Sequence, residues 1–234
     1  MAVVAGMDGC RGGWLCLTKD STTRVVQARI LAKAADLLCL KPQPNVVMVD
    51  IPIGLTDVGP RACDREARQL LGRGRGSSVF PAPIRPMLAA ATYPQACQIG
   101  RRTDGRALSK QTWNILPKIS EVDTFLRSYQ EYKGRMRETH PEVCFWAWNG
   151  RRALNHGKKT PAGRAERESL VNRRYRQAYA SAQACLPRDQ YRPDDLLDAF
   201  AALWTAERVV AGRALVIPAE PPVDSRGLRM EIVA

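Results

Sequence analysis

Several carboxylates stand where the sequence makes them expensive. Asp8 closes an apolar run that begins at Ala2, and Asp50 interrupts a second one, Val46-Val47-Met48-Val49 before it and Ile51-Pro52-Ile53 after it. Glu138 lies in the short run 135–140, which Pro141 stops, and Glu142 follows at once. Asp195 and Asp198 sit three residues apart in a late, otherwise apolar stretch, Leu196-Leu197-Asp198-Ala199-Phe200. A buried carboxylate is costly unless it is paired or holds a cation. Functional residues of open α/β sheets gather at the carboxyl ends of strands, and acids converging there repel one another unless cations lie between them. The chain has two histidines and seven cysteines with no CxxC pair, so a cation site here would be built from hard oxygens, which suits Mg²⁺ or Mn²⁺. Two such ions about 4 Å apart suit phosphoryl displacement, one activating water and the other steadying the leaving oxygen. Asp8, Asp50, Glu138, Asp195 and Asp198 are therefore the candidate catalytic and metal-binding residues, with either Asp50 or Glu138 as partner to Asp8. His140 and Glu142 are candidates for supporting them from behind. Helix capping explains one of Asp194 and Asp195; it does not explain Asp198, a full turn further in.

The elements that must position these groups follow from local pattern. Asp8-Gly9-Cys10-Arg11-Gly12-Gly13-Trp14 reads as strand, tight hairpin, strand, with glycines supplying the positive φ of the turn. Strands are expected over 2–8, 13–18 and 24–30, then a short helix over 32–40 ended by Pro42 and Pro44. Residues 46–53 form a near-continuous apolar run, as in a central strand buried on both faces. Residues 55–135 read as a mostly helical insertion, with helices over 61–71, 86–98 and 120–132 and a flexible basic loop over 72–78. A fifth strand is expected over 135–140, helices over 164–186 and 194–206, and two short strands over 214–218 and 228–233. The last of these could close the sheet edge or pair with a second copy as a homodimer.

Lysine and arginine number 36 against 23 acids, a net charge of +13. That excess favours a polyanionic partner such as nucleic acid. Arg73 and Arg75 among glycines, and Lys158-Lys159 on a loop, are candidate phosphate contacts. Trp113 could stack on a base, whereas Trp146 and Trp148, next to Phe145, suit core packing. Cys10 has no partner base and reads as packing. No apolar run approaches the ~18 residues of a membrane span, so a soluble, cytoplasmic protein is expected.

The strings GMDGCRGGW, VDIPIGL, CDREARQLLG, SSVFPAP, LSKQTWNILPKISEVD, ETHPEVCF, GKKT, DDLLDAFAA and GLRMEI, in that order, resemble the domain-of-unknown-function 429 family over nearly the whole chain. The resemblance implies a single RNase H-like domain over 1–234, with a mixed five-stranded sheet flanked by helices and the insertion at 55–135 between strands four and five. It implies a nuclease. The Asp-x-x-Asp-Ala of the late helix also resembles RuvC-like Holliday-junction resolvases, in which an acid on strand one pairs with one on strand four or five; Asp50 matches the former position and Glu138 the latter. The same resemblance suggests Lys118 as a residue positioning the scissile phosphate. RNA, DNA and branched junctions are all open as substrates. The rival readings are a non-catalytic nucleic-acid-binding module of the same fold, and a phosphotransferase or ATPase of the actin-like sheet type. The latter lacks the second β-β-β-α-β repeat that it requires.

Overall fold

The alternating and apolar runs at the start of the chain form three antiparallel strands, β1 (Val3–Cys10), β2 (Gly13–Asp20) and β3 (Val26–Leu31). In the computed structural model, which describes residues 2–234, Gly13 makes the first reversal with φ 123°. A Cβ there would strike the Leu31 carbonyl, so only glycine fits. The link to β4 (Val46–Val49) is a 3₁₀ helix, Ala34–Cys39, rather than the α-helix expected over 32–40. β4 runs parallel to β1, and β5 (Met136–Glu138) parallel to β4. The result is a mixed five-stranded sheet in the order β3-β2-β1-β4-β5. β4 stops at Val49, four residues short of the expected end, so Asp50 lies just past the strand.

The chain divides into two compact units. The first takes in the chain up to Ile51, then Gly134–Leu215 and Val233–Ala234. It holds the sheet and three helices: α4 (Pro141–Trp148), α5 (Pro161–Cys185) and α6 (Pro193–Val210). α6 is buried at every position from Leu196 to Ala206 and packs on β1, β2 and β4. Gly6 makes this approach possible, because a Cβ there would lie 2.5 Å from the Ala199 carbonyl oxygen and still closer to the Leu203 amide. Trp148 stacks on Trp204 with centroids 4.9 Å apart, which puts Trp148 in packing as expected. At the sheet edge Val233 bridges in parallel to Thr139, whose Oγ1 donates to the Val233 carbonyl (2.6 Å). The terminal strands are shorter than expected, β6 (Val216–Ile217) and β7 (Ile232–Val233).

The second unit is Pro52–Lys133 with Val216–Ile232. Its helices are α1 (Ala62–Arg75), α2 (Tyr93–Asp104) and α3 (Lys110–Ser128). The expected basic loop over 72–78 is instead the end of α1, kinked at Gly72, followed by a 3₁₀ turn at Gly76–Ser78. The expected helix over 86–98 is a 3₁₀ turn, Arg85–Ala89, and then α2, started by Thr92. α3 begins ten residues earlier than expected, capped by Ser109, and carries Pro117 in its interior. The C-terminal segment belongs here because Asp224 accepts from the amides of Leu55 (2.9 Å), Arg226 (2.8 Å) and Leu228 (2.9 Å), while Arg85 pairs with both Asp224 and Asp123. Ile84, Met87, Ala96, Cys97 and Leu108 form a small core, against which Trp113 is packed.

Candidate carboxylate site

Asp8 and Gly6 lie on one face of β1, since side chains alternate along a strand, and Gly6 marks that face as the one under α6. Asp8 is therefore directed to the helix that carries Asp198, a full turn inside α6 and buried like Asp8. Asp50 follows β4 at the same level; its amide donates to the Met7 carbonyl (3.0 Å). Its carboxyl group comes within hydrogen-bonding reach of Asp8. The sheet and α6 thus bring Asp8, Asp50 and Asp198 together at the carboxyl ends of β1 and β4.

The electrostatics are those of crowded acids. Burial, then the charges of Asp50, Asp198 and Asp195, push Asp8 well above the usual carboxylate range. Burial and then Asp198 push Asp50 up to about 8. Asp198 is raised by burial and drawn back by Lys158. The Lys158 ammonium lies 3.0 Å from Asp198 Oδ2, and the charges of Asp198, Asp50 and Asp8 hold it above the normal lysine range. Lys158, expected to contact phosphate, faces the acids; Lys159 is exposed.

The position of Lys158 is built. Gly157 and Thr160 close a tight turn, with the Thr160 amide donating to the Gly157 carbonyl (2.9 Å), and Thr160 Oγ1 then caps α5 by accepting from Gly163 (3.0 Å). Buried Arg167 donates to the His156 carbonyl (3.3 Å) and the Gly163 carbonyl (2.7 Å), and pairs with Glu142 at the start of α4. Glu142 therefore supports the site through Arg167 and the turn. Arg167 went unnoticed in the sequence because α5 reads as a polar, basic helix. The signal was its place on the stripe of Gly163, Leu170 and Val171, all buried in the structure.

The remaining candidates separate. Glu138 pairs in register with Val49, and through it lies level with Met7. Alternation then puts it on the opposite sheet face from Asp8, although its charge still reaches Asp50. Asp195 spends Oδ2 on the Arg192 amide (2.8 Å), as a helix-capping residue does, and burial raises it to about 6. His140 occupies the position before α4, its carbonyl accepting from Val143 (2.9 Å) and Cys144 (3.0 Å). Arg73 and Arg75 end α1, and Lys118 lies within α3 rather than ahead of a helix; all three belong to the second unit.

Asp8, Asp50 and Asp198 offer the hard oxygen donors that a divalent cation takes, and burial together with one another's charge disfavours their ionised forms. Among the described residues, no three His, Cys, Asp or Glu side chains are gathered as closely as metal ligands are; Lys158 is the cation that the acids now face.

A mixed α/β sheet with buried acids at the ends of its parallel strands defines the class of protein. The chain belongs to the family described as Protein of unknown function (DUF429), which matches residues 6–223. No curated protein and no solved structure matches it. No helix among the described residues is long and apolar enough to cross a membrane.

Proposed function

We propose that this protein is a metal-dependent nuclease of RNase H-like architecture that hydrolyses phosphodiester bonds in nucleic acid. The observation that carries the reading is the convergence of Asp8, Asp50 and Asp198, from two parallel strands and a buried helix, with carboxyl groups too crowded to ionise together. Antiparallel β1–β3, parallel β4 and β5 and a late acidic helix agree with the arrangement that the sequence resemblance implies. The net charge of +13 suits a polyanionic substrate.

Mg²⁺ or Mn²⁺ held by Asp8, Asp50 and Asp198 would supply an activated water and offset charge on the phosphate. The chain's own part is positioning. α6 fixes Asp198 over β1, and Asp8 and Asp50 would hold the ion as ionised carboxylates. Lys158, 3.0 Å from Asp198 Oδ2, would offer its ammonium to a substrate phosphate beside the acids. Asp195 tunes the cluster by charge, and Glu138 acts on Asp50 from the other sheet face.

A second reading has one observation in its favour. If Lys158 is the permanent counter-ion of Asp198, the acids are structural and the protein binds nucleic acid without cutting it. A cleavage panel separates the two. Single-stranded RNA, RNA/DNA hybrid, duplex DNA and a four-way junction are incubated with wild type or Asp8→Asn, in Mg²⁺, Mn²⁺ or EDTA. The nuclease reading expects metal-dependent cutting that the variant loses. Binding with no cutting of any substrate would favour the second reading.

A further inference from the structure

A broad groove of about 1010 Å³ lies between the β2–β3 hairpin and the middle of α5, within the first unit. Its walls carry Lys19, Arg24, Arg173, Arg174 and Arg176 against a single carboxylate, Glu207. That carboxylate is already spent: Lys19 and the Tyr175 hydroxyl hold it, and Arg174 approaches Oε2 through Nη2 (3.0 Å) and Nε (3.1 Å). The side chains of Arg24, Arg173 and Arg176 make no hydrogen bond or ion pair among the described residues, and all three are exposed. Arg173 and Arg176 flank the break in α5 at Tyr175 (φ −126°, ψ 25°), and both line the groove. Arg24 reaches in from the opposite wall, on a backbone with φ 60°. An arginine in this left-handed region is uncommon and costs free energy, whereas asparagine or glycine would turn the hairpin without strain.

We propose that this groove is a second nucleic-acid contact, which takes the phosphodiester backbone. Three unneutralised guanidiniums with Asn172 and Gln177 beside them offer donors only to an anionic or polar ligand. Guanidiniums spread over two walls of a groove of about 1010 Å³ suit a polyanion better than a single phosphate. Its only lining aromatic ring, Tyr175, is buried and engaged with Glu207, so no base-stacking platform is present and the contact reads no sequence. The choice of nucleic acid as the polyanion rests on the nuclease reading. The groove is at the other end of the sheet from the acids: Lys19 pairs with Val4, and Asp8 lies four residues further along β1. That is roughly 14 Å of strand, or about four base steps of duplex at ~3.4 Å each. The groove would hold the flanking duplex while the carboxylates address the scissile bond.

The test is fluorescence anisotropy of a labelled 20-base-pair DNA duplex with the full chain in EDTA, where no cutting competes. Wild type, Arg24→Gln/Arg173→Gln/Arg176→Gln and Asp198→Asn are titrated across a range of salt. Three lost phosphate contacts should weaken binding at least tenfold near 0.1 M salt and lower the slope of log K against log salt by about 2.7. Asp198→Asn removes a negative charge beside Lys158 and should bind at least as tightly as wild type, so a loss confined to the arginine variants is separate from any failure of the cleavage reading. Should the triple variant fold poorly by circular dichroism, Arg173→Gln alone should lower the slope by about 0.9. Unchanged affinity and slope in the arginine variants would overturn the proposal. So would displacement of the duplex by polyglutamate at equal charge, which would make the groove a site for acidic protein.

Discussion

Cation binding at Asp8, Asp50 and Asp198 should expel protons, and the number can be worked from the site. Asp50 is raised to about 8 by burial and by the Asp198 charge. At pH 7 it is therefore about 0.9 protonated, and at pH 9 about 0.1. Asp8 is also raised, so the pair carries between about 0.9 and 2 protons at pH 7. A divalent cation needs ionised oxygens and drives these protons off. Isothermal titration of Mn²⁺ in two buffers of different ionisation enthalpy counts them. The expected count is close to one or above at pH 7 and smaller at pH 9, where Asp50 is ionised, while below pH 8 affinity rises by up to about tenfold per pH unit for each proton released. Binding at pH 7 with fewer than about 0.2 protons released would refute the reasoning, because the acids would then be ionised without a cation.

The same crowding sets a stability trade. A carboxyl group raised in the folded state holds its proton longer than the unfolded chain does, so stability falls as pH rises from about 4 to about 8. Asp50→Asn should remove its share of this fall. Discounted for the part of Asp50 that stays in water, the gain at pH 8 without metal is about 1–2 kcal/mol, read as a melting temperature several degrees higher, alongside lost Mn²⁺ binding. Gly6→Ala should force β1 off α6 and cost about 3 kcal/mol, a drop on the order of 6–12 °C by calorimetry. Arg167→Met should strand buried Glu142 and cost about 3–5 kcal/mol in urea unfolding. The paired variant Glu142→Gln/Arg167→Met should recover part of that loss.

Much of this organisation is legible in the residues. The apolar runs around Asp8 and Asp50 specify neighbouring strands, and the burial of Asp198 follows from the apolar residues that surround it in sequence. Local pattern does less well where tertiary packing decides. Pro117 sits inside α3 because packing of Leu116 and Ile119 outweighs the lost hydrogen bond. The glycines of 72–78 are absorbed into a kinked helix end because Arg68 ties the segment back through the Val79 carbonyl (2.6 Å). Lys158 is the clearest case. Nothing in Lys158-Lys159 distinguishes one lysine from the other. The Gly157–Thr160 turn and its anchor at Arg167 do, and they depend on contacts about ten residues and more away. Glu138 is a similar lesson, since only the β4–β5 register separates it from Asp50.

The most direct measurement of the central claim is Mn²⁺ binding to wild type and Asp198→Asn, followed by electron paramagnetic resonance of the free ion at pH 8. If Asp8, Asp50 and Asp198 form a cation site, wild type takes up Mn²⁺ and the variant loses that uptake while keeping its circular dichroism spectrum. Equal uptake by a folded Asp198→Asn, or none by wild type, would contradict it.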